Sequence, residues 1–231
     1  MCPQKKRQMS KKSLRWRGDD DNIDDILKFV ETSYDLEFGR YDFKDVGTFG
    51  EFCDKVLSKI RRQHIDDNTN KQAFQKLKES IEKIRNVKNL QIESKTELTE
   101  IFPRKSRRKE ILEIEKMLDV KLKAFQPTQF ASAMNFIFLL IVSFLFFIDW
   151  KFGLVGLTFL IISSWTVDKT TKKFKDKTFG ELIERMTLYN YIKSRQNPTT
   201  VNMEEIEGKI KKLFIENWGL KENDIERETL L

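Results

Sequence analysis

Two cysteines, one histidine, four prolines and nine glycines in 231 residues leave this chain short of several common chemistries. Cys2 and Cys53 have no CxxC spacing, and His64 stands alone, so a disulfide framework or a structural zinc site lacks ligands. No cysteine or serine pairs with His64 in a nucleophile motif, and P-loop and dinucleotide signatures are missing. No catalytic residue, metal site or cofactor is expected, and the chain reads as a non-enzyme whose thiols stay reduced. The scarcity of Gly and Pro, beside abundant Lys, Glu, Leu and Ile, argues for an all-α protein rather than a β sandwich. Charged residues are 34% of the chain, hydrophobic ones 39%, and the net charge is +7.

The charge is unevenly spread. Residues 1–17 carry seven bases and no acid, and no apolar segment follows, so they read as a basic disordered arm rather than a signal peptide. Residues 18–60 reverse the balance, with twelve acids against five bases. The cluster "GDDDNIDD" fails as an EF-hand loop, because Asp24 stands where the glycine belongs and Val30 where the glutamate belongs. Asp20 and its neighbours fit better as caps of the helix that follows, each worth about 0.3–1 kcal/mol against the helix dipole.

One long apolar feature is present. No charge occurs from Gln126 to Ile148, and a second uncharged segment, "FGLVGLTFLIISSWTV", runs over 152–167 after Lys151. The pattern predicts a two-helix transmembrane hairpin over 126–167, with Trp150 and Trp165 at the interfaces. The flanks hold "PRKSRRK" and "KTTKKFKDK". By the positive-inside rule the expectation is a multi-pass cell-membrane protein with both termini cytoplasmic. Arg104, Lys105, Arg107, Arg108, Lys109, Lys172 and Lys173 are the candidates for contact with anionic lipid.

The remaining sequence repeats itself. "FKDVGTFGEF" (43–52) recurs as "FKDKTFGEL" (174–182), "IESKTEL" (92–98) as "IERETLL" (225–231), and "YDLEF" (34–38) as "LDVKL" (118–122). Thr48 with Glu51, and Thr178 with Glu181, have the spacing of a capping box. Naming the elements a, b and c, the order along the chain is b-c, then a-b-c with the hairpin between its b and c, then a.

This order, with I-E-x-x-T-x-L after one helix and T-F-G-E opening another, resembles the small four-helix fold of acyl carrier proteins and their divergent bacterial relatives. The resemblance implies carrier-like units at 18–62, partial, and at 72–125 plus 174–193. The segment 203–231 completes the first by closing on it, unless the missing halves come from another subunit or a longer array. It also implies a phosphopantetheine serine at the start of helix b. Asp20 occupies that place in the first unit and Arg104 in the second. Ser106, two residues further on among five basic neighbours, is the weak candidate for cofactor attachment.

The leading expectation is therefore a membrane-anchored, non-enzymatic protein that presents degenerate carrier-like units to a protein partner. The alternatives are an acyl-chain carrier or carrier-binding accessory, and a pore-forming or membrane-perturbing small protein. Self-association is compatible with the pattern. Nucleic acid is not an expected partner, because the basic segments lack interleaved aromatics apart from Trp16.

Overall fold

The computed structural model describes residues 21–126, 129–170 and 173–231, so the arm 1–17, the cap Asp20 and Lys172 lie outside the described residues. Among those described the chain is mostly helical and all-α in class. Its elements are α1 (Asp21–Tyr34), α2 (Phe49–Lys59), β1 (Gln63–His64), α3 (Thr69–Arg85), α4 (Leu98–Ile101), α5 (Arg107–Leu118), α6 (Gln129–Ile148), α7 (Trp150–Thr170), α8 (Phe179–Tyr189), α9 (Tyr191–Ser194), β2 (Thr200–Val201) and α10 (Met203–Trp218). The short strands pair in parallel, Gln63 with Thr200 and His64 with Val201.

The fold divides into two compact units. The first comprises the described residues of Met1–Glu79 with Leu118–Lys121 and Ile183–Leu231; the second comprises those of Ser80–Met117 and Leu122–Leu182. In the first, helical spacing puts Ile26, Val30 and Tyr34 of α1, Phe49, Phe52 and Val56 of α2, and Ile206, Ile210, Leu213 and Phe214 of α10 into one core. The Phe214 ring meets Phe49 and Phe52 edge-on at 5.4 and 5.2 Å, the arrangement that ring quadrupoles favour. Each such buried side chain contributes roughly 1.5–3 kcal/mol. Residues 183–193, grouped by sequence with 72–125, fall in this first unit because Leu188, Tyr189, Tyr191 and Ile192 belong to its core.

In the second unit Leu98, Ile101 and Phe102, Ile111 and Ile114 of α5, Leu122, Phe174, and Phe179 and Leu182 of α8 are buried. Phe125 and Phe174 stack at 5.2 Å with their planes 16° apart.

The sequence repeats coincide with repeated backbone geometry. In the first unit Phe49 N donates to Thr229 O at 2.9 Å, Gly50 N to Arg227 O at 2.8 Å and Leu231 N to Gly47 O at 3.1 Å. In the second, Phe179 N donates to Thr96 O at 2.9 Å, Gly180 N to Ser94 O at 2.8 Å and Leu98 N to Lys177 O at 2.9 Å. The segment after α10 thus closes onto the start of α2, as the segment after α3 closes onto the start of α8. Inside each loop the same turn recurs: Glu226 N donates to Thr229 Oγ1 at 2.8 Å, and Glu93 N to Thr96 Oγ1 at 2.9 Å. The preceding helices both end on a left-handed residue, Gly219 at φ 64° and Asn86 at φ 53°.

The third sequence pair, weak by letters alone, shares a firmer mechanism. Asp35 and Asp119 both adopt positive φ, 53° and 51°, a conformation that aspartate tolerates better than most residues. One helical turn earlier, Glu31 accepts from Phe38 N at 2.8 Å and Glu115 from Leu122 N at 2.7 Å, each carboxylate tying the outgoing chain back to its helix.

α6 and α7 form an antiparallel hairpin that turns at Asp149, whose Oδ1 accepts from Lys151 N at 2.9 Å. Glycine lets the helices approach: a Cβ on Gly156 would lie 2.9 Å from Val142, and one on Gly153 would overlap the Phe146 ring. Phe144, Phe147 and Val155 are exposed on its outer faces. The expected multi-pass cell-membrane topology with both termini cytoplasmic is corrected here: among the described residues no helix is long and apolar enough to cross a membrane. In α7, Lys151 and Asp168 bound an uncharged stretch of roughly 24 Å.

Candidate functional site

Four helix-cap residues found in the sequence can be placed. Glu51 N donates to Thr48 Oγ1 at 3.2 Å while the Glu51 carboxylate accepts from Thr48 N at 3.1 Å and Gly47 N at 2.7 Å. Glu181 N donates to Thr178 Oγ1 at 3.3 Å, and its carboxylate accepts from Lys177 N at 2.7 Å. These residues are structural: they hold the start of α2 and α8 against the loops described above.

The basic run before and within α5 divides by role. Pro103 O accepts from Ser106 N at 3.1 Å and from Arg107 N at 2.9 Å, so the chain turns into the helix at Ser106. The Ser106 hydroxyl lies 3.5 Å from the same carbonyl and is half-buried. Arg107 points inward. It is 8% exposed, its guanidinium lies 4.9 Å over the Phe174 ring, and burial together with Arg104 lowers its affinity for a proton. Arg108 lies 5.5 Å over Phe125. Arg104, Lys105, Lys109 and Lys173 are exposed, Lys109 at 3.8 Å from Glu113 one turn along. Lys105, Arg108, Lys109, Leu112, Glu113 and Lys116 border an open groove of about 500 Å³ along α5. Of the seven lipid-contact candidates, three lie on this face, Arg104 and Lys173 elsewhere on the exposed surface and Arg107 inside, while Lys172 lies outside the described residues.

The first unit holds a polar cluster that the sequence did not reveal. Arg195 is fully buried and donates to Asp67 Oδ1 at 2.6 Å, to Thr69 Oγ1 at 2.7 Å and to Thr200 Oγ1 at 3.1 Å. Tyr191 OH donates to Glu205 Oε2 at 3.0 Å and accepts from Thr69 Oγ1 at 3.0 Å, and burial raises its pKa. Lys76 Nζ donates to the carbonyls of Lys193 and Arg195, both at 2.7 Å. The signal lay in "HIDDNTN" (64–70) and "RQNPTT" (195–200), two turn-rich polar stretches with no periodicity. They are cross-tied, and His64 joins them by accepting from Met203 N at 3.1 Å through Nδ1.

Beside this cluster is a cleft of about 300 Å³ lined by Asn70, Glu184, Glu204, Glu205, Lys209 and Lys212 among others. Lys209 is 8% exposed and donates to Asn70 Oδ1 at 2.9 Å and Thr187 Oγ1 at 2.7 Å. Neither partner is charged, and desolvation pulls its ammonium down to about 8. Cys53 is buried against α10, and desolvation pushes the pKa of its thiol up. Among the described residues no three His, Cys, Asp or Glu side chains gather closely enough to hold a metal ion. The arrangement offers a charged, structured surface and a cross-braced interior. Compared with protein-family models, with curated proteins and with solved structures, the chain gives no match.

Proposed function

We propose that the protein is a non-enzymatic scaffold that presents two degenerate acyl-carrier-like helical units to a protein partner. The observation that carries this reading is the split between what the two copies share and what they do not. The shared positions are caps, left-handed turns, loop-to-helix hydrogen bonds and core residues. The exposed positions diverge, above all in charge, as α1 and α5 illustrate. Two frames of one shape with different outer surfaces suit recognition better than a repeated chemistry. The carrier serine is not retained at either matched position: Asp20 and Arg104 stand there, and Ser106 is embedded in a basic run.

The full chain incubated with coenzyme A and a broad-specificity phosphopantetheinyl transferase tests this against the carrier alternative. Intact mass is expected to stay unchanged while a control carrier in the same tube gains the cofactor. An adduct mapped to Ser106 overturns the proposal in favour of an acyl carrier.

A further inference from the structure

Helices α1 and α5 have equivalent frames, and the register between them is set by backbone features rather than by sequence similarity. Asp35 and Asp119 occupy the same left-handed turn, and Glu31 and Glu115 make the same return hydrogen bond. In that register Asp24 matches Arg108, Asp25 matches Lys109, and Thr32 matches Lys116. Asp24, Asp25 and Thr32 are exposed on α1; Lys109 and Lys116 are exposed on α5, and Arg108 is half-buried. At two of these three positions one copy of the fold carries a carboxylate where the other carries a cation, and at the third a neutral threonine faces the lysine's place.

The face of α5 has the further marks of a docking surface. Lys105, Arg108, Lys109, Leu112 and Lys116 follow one another at helical spacing along the groove of about 500 Å³, four cations against the single carboxylate of Glu113. Leu112 and Met117 leave apolar area exposed, 53% and 41%, beside the charged stripe. An apolar centre with a charged rim is the composition of a recognition patch. The exposed part of α1 and the turn after it have the opposite sign, with Asp24, Asp25 and Glu37 against Lys28, while Asp35 is paired with Arg62 at 2.7 Å.

We infer that the basic face of α5 is a docking site for the acidic helix α1 of a second copy of this chain. The pairing stands on the repeat and its charge reversal, and is independent of the carrier-like reading. It is a pseudo-two-fold contact, because the partners are equivalent helices from different repeats. If both helices of each chain engage reciprocally the assembly closes as a dimer; if one contact forms per pair of chains it extends. Charge steers the encounter, so the association depends on ionic strength.

Sedimentation equilibrium of the full chain, at several concentrations and at two ionic strengths, tests the proposal together with two charge-reversed variants. Lys105→Glu/Lys109→Glu makes both helices acidic, and Asp24→Lys/Asp25→Lys makes both basic; Arg108 is left alone because it lies over Phe125. Wild type is expected to self-associate, about tenfold or more weakly when salt is raised from about 0.1 M to about 1 M, where the Debye length falls from about 10 to about 3 Å. Each variant alone is expected to lose that association while keeping the wild-type circular dichroism. An equimolar mixture of the two variants is expected to recover it, since each then offers the sign that the other needs. A wild type that stays monomeric overturns the proposal. So does association that the substitutions leave unchanged, or a mixture that fails to associate.

Discussion

Gly50 tests whether the repeated loop-to-helix contact supports the fold. It lies in the first turn of α2, and a Cβ built there meets Arg227 O at 2.9 Å, about 0.5 Å inside ordinary contact. The same approach carries the Gly50 N to Arg227 O hydrogen bond of 2.8 Å, so the methyl group pushes directly on the bonded carbonyl. Backbone cannot swing aside as a side chain can. Overpacking of this kind costs about 1–3 kcal/mol and the strained hydrogen bond about 1 more, offset by the 0.5–1 kcal/mol that alanine gains in a helix. Gly50→Ala is therefore expected to lose roughly 1–3 kcal/mol in urea unfolding. Hydrogen exchange localises the damage: protection should fall at the Phe49 and Leu231 amides and persist at Phe179 and Leu98, which hold the equivalent contact in the other unit. Gly208→Ala is the control, because nothing lies within 4 Å of the added methyl on the exposed side of α10. It should stabilise by about 0.5–1 kcal/mol. If Gly50→Ala is neutral, or gains stability as Gly208→Ala does, the close approach does not hold the loop and the reasoning fails.

Arg195→Met should cost about 3 kcal/mol in the same assay, since it removes a buried guanidinium from Asp67, Thr69 and Thr200; Arg195→Lys should not restore it, as an ammonium cannot span all three acceptors. Lys209 supplies a pH signature. Its folded pKa of about 8 lies below the ordinary lysine value of 10.5, so between those values the unfolded chain binds the extra proton and stability rises with pH. The stability of wild type relative to Lys209→Met should rise by about 1–2 kcal/mol between pH 8 and 9.5. Taking the difference cancels Cys53, whose raised pKa acts the other way above pH 9, and Tyr189, which stays protonated up to about 12. A flat difference, or one falling with pH, counts against a desolvated Lys209 ammonium.

The helical class, the capping boxes and the order of the repeats were legible in the sequence because they rest on local chemistry. A threonine three residues before a glutamate caps a helix wherever it is placed, and apolar residues at helical spacing declare a buried face. The order b-c, a-b-c, a left open whether 203–231 closes on 18–60 or the missing halves come from elsewhere; the hydrogen bonds from Phe49 and Gly50 to the carbonyls of Thr229 and Arg227 bring the two segments together. The glycine in each T-F-G-E motif was not legible, because its reason is a carbonyl from a segment far along the chain. The polar cluster around Arg195 escaped for the same reason. Its ligands come from 67–69 and 200, and turn-rich stretches carry no periodicity that would announce their partner.

The apolar hairpin marks the boundary between the two kinds of information. Sequence determined that 126–167 would be apolar and would fold back on itself, since the turn at Asp149 leaves no other course. Sequence did not decide what it can span: among the described residues no helix is long and apolar enough to cross a membrane. The basic run makes the same point in miniature. Seven cations were equal candidates by sequence, and tertiary structure separated Arg107, held over Phe174, from Lys105 and Lys109, left exposed. Position along a helix is written in the chain; which side of that helix another segment covers is written only in the packing, because burial depends on residues that the sequence keeps far apart.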